Sequence, residues 1–177
     1  MIYRIHLIIF FTIAFGIISC SNKKDVSKPN SLNQDQVAEK LLEANKAAIE
    51  VENKQIDKLI DSLGWNMLKT TTGLRYEIIE KENGPKAETG KIARFEYEIR
   101  LLNGEIIYSS KQSGPKEFRI GSGGVESGLE EGMLLLHSGD KAKFVIPSFL
   151  AHGLSGDQDR IPPKATLIYT VKLIDLK

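Results

Sequence analysis

One cysteine, three histidines and one tryptophan in 177 residues leave little room for several kinds of chemistry. The lone thiol, Cys20, closes no internal disulfide and brings no second sulfur to a zinc site, which excludes disulfide scaffolds and zinc-finger-like folds. His6, His137 and His152 stand at no recognisable metal-ligand spacing, so neither a metal nor another cofactor is expected. Neither sign of charge dominates: 24 Lys and Arg face 23 Asp and Glu, and nothing draws the chain onto nucleic acid. Gly153-Leu154-Ser155-Gly156 misses the nucleophile elbow of serine hydrolases. Gly121-Ser122-Gly123-Gly124 lacks the Lys-Ser/Thr of a P-loop and the last glycine of the dinucleotide fingerprint, and reads as a tight turn.

Long apolar runs are also missing, with one short exception. Leu7 to Ile18 is a twelve-residue apolar stretch behind Arg4 and His6, too short to span a bilayer comfortably, and it reads as a secretory signal over residues 1–19. Its ending, Ile17-Ile18-Ser19-Cys20, resembles the bacterial lipobox, in which the cysteine is lipidated and becomes the new N-terminus. Loss of residues 1–19 leaves 23 basic and 23 acidic side chains, a formal charge of zero. Residues 20–30, polar and containing Pro29, read as a flexible tether from lipidated Cys20. The expected place is the cell envelope, lipid-anchored, at the outer membrane facing the periplasm.

Residues 31–69 read as a helical segment. Ser31 with Gln34 suggests a capping box, and Val37, Leu41, Ala44 and Ala48, then Ile56, Leu59, Ile60 and Leu63, recur at helical spacing. The apolar phase slips between Glu50 and Gln55, so one long helix or two shorter ones fit the pattern. Two occupants are open for its apolar face: its own domain, or a second copy in a homodimer.

From residue 70 to 177 the period changes to two. Ala93 to Leu101 places apolar or aromatic residues at every odd position and charge at every even one until Arg100, the signature of a strand with one buried face. Asn103-Gly104 predicts a type I′ hairpin returning through Ile106 to Ser109. Further strands are expected at 74–80, 117–120, 141–146 and 166–176, and a short helix over 125–136, which together make an antiparallel α+β domain. Tyr97, Phe118, Val125, Leu129, Ile161 and Tyr169 fall on inward faces or at element ends, where they either form core or line an apolar pocket.

Several stretches resemble the FKBP-type peptidyl-prolyl isomerases, in the family's order: Phe95-Glu96-Tyr97, Ser109-Ser110, Phe118-Arg119-Ile120-Gly121, Gly128-Leu129-Glu130-Glu131-Gly132-Met133, Gly139-Asp140-Lys141-Ala142-Lys143, Ala151-His152-Gly153 and Ile161-Pro162-Pro163-Lys164-Ala165-Thr166-Leu167. The resemblance implies an antiparallel half-barrel sheet wrapped around one short helix, preceded here by the N-terminal helix. It implies a prolyl pocket lined by Tyr97, Phe118, Val125, Leu129, Ile161 and Tyr169, with the Glu126 backbone N–H taking a substrate carbonyl. His152 occupies the place of a tyrosine that bonds a second carbonyl. Ile107 and Tyr108 stand where the family carries an aromatic residue and an aspartate. The implied activity is proline isomerisation of exported polypeptides; the alternative is a non-catalytic adaptor of the same fold. The Gly64-Trp65-Asn66 junction also resembles FKBP lipoproteins of Bacteroidetes, some tied to gliding.

Overall fold

The computed structural model describes residues 33–177. The signal segment 1–19, Cys20 with its tether, and the Ser31 cap lie outside the described residues. The alternating run becomes β3 (Ile92–Leu101), which pairs antiparallel with β4 (Ile106–Ser109), β5 (Lys116–Arg119) and β7 (Leu167–Leu176). With β1 (Leu68–Lys69), β2 (Arg75–Glu80) and β6 (Lys141–Ile146) they form one antiparallel sheet of order β1-β2-β6-β7-β3-β4, β5 standing off that path on β3.

Inward residues of alternate strand positions, among them Phe95, Tyr97, Phe144, Tyr169 and Val171, make the main core. A short helix, α3 (Ser127–Met133), lies against this face and buries Leu129 and Met133. Its close approach depends on two glycines one turn apart. A methyl group at Gly128 would overlap the Ile146 side chain, and one at Gly132 would sit 2.8 Å from Phe144 ring carbons. The helix is shorter than the 125–136 expected: Leu135 and Leu136 bond back three residues, to Gly132 and Met133, in the tighter turn common at helix ends.

The hairpin turn also differs from the type I′ expectation. Gly104 has φ +88°, but Asn103 is not in the left-handed region. Leu101 O accepts the Gly104 N–H at 2.9 Å and Asn103 Oδ1 accepts the Glu105 N–H at 3.0 Å. Because its side chain caps the turn ahead, Asn103 needs no positive φ, and the loop is a three-residue one closed by a left-handed glycine.

The phase slip in the N-terminal segment resolves as one helix, α1 (Gln34–Leu63), with two kinds of contact. Its box pairs Asn33 with Gln36, whose Oε1 accepts the Asn33 N–H at 3.1 Å, and Gly64 ends it at φ 64°. In the C-terminal half Ile56 and Ile60 pack on Val145 and Ile168, the outward residues of β6 and β7, forming a second small core. Where the apolar phase slips, the residues facing the domain are polar because their partners are polar. Arg75, 2% exposed, gives its guanidinium to Asp57 at 2.6 Å, Asn53 at 2.7 Å and the Gly73 carbonyl at 2.7 Å. Glu52 accepts the Ser148 N–H and the Thr166 hydroxyl, both at 2.6 Å. The N-terminal half, through Val51, is exposed along its length, Val37 and Leu41 included.

No α1 residue belongs to the main core, so a fragment of residues 70–177 is expected to keep a cooperative thermal transition, at a lower Tm than the full chain. In the full chain Ile56→Ala should cost about 2–4 kcal/mol in denaturant unfolding, the usual range for an emptied aliphatic site. A fragment without a transition would show that α1 completes the fold.

Candidate active site

Tyr97 and Ile99 from β3, Phe118 from β5, Val125 and Glu126 at the entry to α3, Leu129 within it and Tyr169 from β7 converge on a cleft of about 720 Å³. The chain after the 3₁₀ turn Ser148–Leu150 adds His152, Asp157 and Ile161. All eight side-chain or backbone positions expected from sequence therefore line one cavity: Tyr97, Phe118, Val125, Glu126, Leu129, His152, Ile161 and Tyr169. The floor is dry and apolar, with Leu129 2% and Ile161 3% exposed. Phe95 backs it, stacking edge-on against Phe118 with ring centroids 5.8 Å apart.

Both buried phenols have found partners, as the cost of an unpaired hydroxyl requires. Tyr97 Oη lies 2.7 Å from Ser113 Oγ, and Ser113 Oγ in turn donates to the Ser109 carbonyl at 3.2 Å, so the Tyr97 hydroxyl is the donor of the pair. Ser113 is presented by α2 (Ser110–Ser113), one turn capped by the Ser109 hydroxyl. Tyr169 donates to Glu126 Oε1 at 2.7 Å. Burial, and then the Glu126 charge beside it, push the Tyr169 hydroxyl well above its ordinary pKa of 10.0, which keeps it protonated.

His152 meets the same oxygen: Nε2 lies 2.8 Å from Glu126 Oε1. A carboxylate only accepts, so Nε2 is the donor of this bond. The imidazole N–H is thus spent on Glu126 in this structure, and a bound carbonyl would take it in competition with that carboxylate. The Glu126 side chain, invisible to the sequence reading except as a backbone N–H, is the hub of the polar side of the cleft.

Tyr108, at the position where the family carries an aspartate, brings a carboxylate to the rim through its hydroxyl. Its hydroxyl donates to Asp157 Oδ2 at 2.5 Å and to Asp159 Oδ2 at 3.1 Å, while Arg160 stacks 5.4 Å from its ring centroid. Asp157 Oδ1 also accepts the N–H groups of Ile161 at 2.7 Å and Asp159 at 3.0 Å. One carboxylate thereby ties the 152–161 loop to β4 and sets Ile161 against the cleft. Burial works to raise the Asp157 pKa, but the hydrogen bonds from Tyr108, Ile161 and Asp159 outweigh it and hold the group at about 2. The same bond to Asp157, aided by burial, raises Tyr108 to about 12. Ile107, the other departure, is buried core, 2% exposed. The signal that would have found Asp157 is the D-x-D-x-I spacing before Pro162, an Asx-type loop staple.

Tyr108→Phe should therefore lower stability by about 1 kcal/mol near neutral pH, the discounted value for a half-exposed bond to a charged group. Asp157 is depressed in the fold, so its contribution exists above the unfolded carboxylate pKa and fades as pH falls toward about 2. Urea midpoints of wild type and variant should accordingly differ at pH 7, draw together as pH falls from about 4, and converge only below about pH 2. A constant gap would remove the Tyr108–Asp157 bond as its cause.

The sequence model of the FKBP-type peptidyl-prolyl cis-trans isomerases matches residues 84–174. A probable FKBP-type peptidyl-prolyl cis-trans isomerase of Haemophilus influenzae is 31% identical over 163 residues, 87% of this chain and 67% of that protein. The probable isomerase FkpA of Neisseria meningitidis is 40% identical over 108 residues, 60% of this chain but only 39% of its own length. Among solved structures, FkpA from Escherichia coli superposes with a TM-score of 0.64 at 28% identity, covering 83% of this chain and 74% of that one. AtFKBP13 gives 0.61 at 29% identity over 63% of this chain and 99% of its own. With the family model spanning more than half of its residues, the chain belongs to the FKBP-type peptidyl-prolyl cis-trans isomerases.

Proposed function

We propose that the protein is a peptidyl-prolyl cis-trans isomerase acting on exported polypeptides in a cell envelope. The observation that carries the reading is the cleft itself: an apolar floor of Phe118, Leu129 and Ile161, with Glu126 and His152 among the polar groups of its lining. Rotation about an X-Pro bond meets a barrier of roughly 20 kcal/mol because amide resonance is lost on the way. The twisted amide is less polar than the planar one, so a dry floor favours it relative to water, while a donor at the rim holds the carbonyl. Each tenfold acceleration asks for about 1.36 kcal/mol, and such a cleft needs neither nucleophile nor metal to supply several of them. The Glu126 backbone N–H, at the extended residue that precedes α3, is the donor suited to a substrate carbonyl.

The envelope location rests on the sequence: the apolar run ending in Ile17-Ile18-Ser19-Cys20 and the polar tether behind it. Among the described residues no helix is long and apolar enough to cross a membrane. Anchoring would then fall to acyl chains on Cys20, of which two or more hold stably. The exposed stripe of α1 around Val37 and Leu41 is available to a second copy of the chain. A non-catalytic adaptor of the same fold remains the competing reading, favoured by Ile107 and Tyr108 at positions where the family carries other residues.

Tyr97→Ala and Leu129→Ala should each lower kcat/KM for an Ala-Leu-Pro-Phe type peptide at least about tenfold, with His152→Ala costing less. Thermal melts of the same variants separate lost fold from lost catalysis. Wild-type protein that adds nothing to the spontaneous rate, yet retains a partner from the envelope, would leave the adaptor. Cys20→Ser should release the protein from membranes; unchanged partition at unchanged processed mass would refute the anchor.

A further inference from the structure

Satisfying the Tyr169 hydroxyl requires an acceptor but not a charge. A carboxylate in an apolar pocket carries a desolvation penalty that a neutral amide oxygen in the same place would avoid. Glu126 is nevertheless there, its side chain 13% exposed, and the contacts that hold it are a phenol and an imidazole. Asp157 is held likewise by a phenol and two backbone N–H groups, with His152 the one titratable base near enough to act on its charge. Among the described residues neither carboxylate meets a lysine or arginine within ion-pair distance, whereas Glu117, the third acid of the cleft, is paired with Arg94 and Lys177. A phenol, a backbone N–H and a singly protonated imidazole are dipoles, and dipoles stabilise an anion without cancelling its field. Both hydrogen bonds to Glu126 fall on Oε1, so Oε2 is the oxygen left to an incoming chain.

The cleft's one lysine, Lys116, does not offset this. It is exposed, resting 4.9 Å from the Tyr97 ring centroid, where water screens it. A charge recessed beside an apolar floor is screened far less than one at the rim. We propose that Glu126 is a specificity-determining residue, and that the cleft selects prolyl segments with a lysine or arginine next to the proline over those with an acidic neighbour. The proposal rests on the isomerase reading and names the substrate class of that site.

The test is a set of short peptides with Lys, Leu or Glu immediately before proline, and a second set with the same residues immediately after it. Isomerisation is followed by NMR exchange, which needs no coupling protease. Wild type should process the lysine peptide with a kcat/KM at least about tenfold above the glutamate peptide in one of the two sets. Glu126→Gln, which keeps an acceptor for Tyr169, should reduce that ratio to within about threefold. Raising salt from about 20 to about 500 mM should compress the wild-type ratio as well, a readout independent of how well the variant folds. Ratios within about twofold in both sets, with the leucine peptides still isomerised, would overturn the proposal and leave the isomerase standing. A preference that survives in folded Glu126→Gln would likewise overturn the assignment. If no peptide is isomerised, the proposal and the reading beneath it fall together.

Discussion

Helix α3 lies on β6 at a separation that Gly128 and Gly132 permit and that a methyl group at either would forbid. That contact sets the depth of the cleft. With α3 against Ile146 and Phe144, Leu129 reaches the floor and Val125 and Glu126 stand at its entrance. Raising the helix by even one methyl would move floor and entrance away from Tyr97 and Tyr169, which are fixed by sheet register opposite Val171 and Ile99. Packed interiors leave little slack for such a shift. The two glycines therefore govern where the whole helix, Leu129 included, stands relative to Tyr97 and Tyr169.

The polar half of the site follows a different rule. Tyr97, Tyr108 and Tyr169 each donate a hydrogen bond to a fixed acceptor: Ser113, Asp157 and Glu126. Each acceptor comes from a segment remote from its tyrosine in the sheet, so the three bonds stitch α2, the 152–161 loop and the entry to α3 onto β3, β4 and β7. The walls of the cleft are held by phenols, and the floor by packing.

Much of this was legible in the chain. Period-two runs located β3, β6 and β7 because one face of each is buried, and inward placement of Tyr97 and Tyr169 followed from the same parity. Parity says nothing about partners distant in sequence. The polar phase slip in the N-terminal helix had no local explanation; it comes from Arg75, buried beneath Asn53 and Asp57, which lie 22 and 18 residues away. Asp157 and Tyr108 are 49 residues apart, and Glu126 and Tyr169 are 43 apart; only the fold makes them neighbours. The Asn103-Gly104 turn was misread for a local reason, since the asparagine side chain offered its own cap.

The exposed half of α1 has a geometric consequence. Eighteen residues, Gln34 to Val51, extend along the helix axis by about 27 Å at 1.5 Å per residue. Because the other half of the same helix is clamped to the back of the sheet by Ile56, Ile60 and the Arg75 bonds, the free half is a strut and not a leash. A continuous hydrogen-bonded helix has no hinge between its two halves, so a force applied at Gln34 reaches the sheet through Ile56 and Ile60 and not through a slack chain.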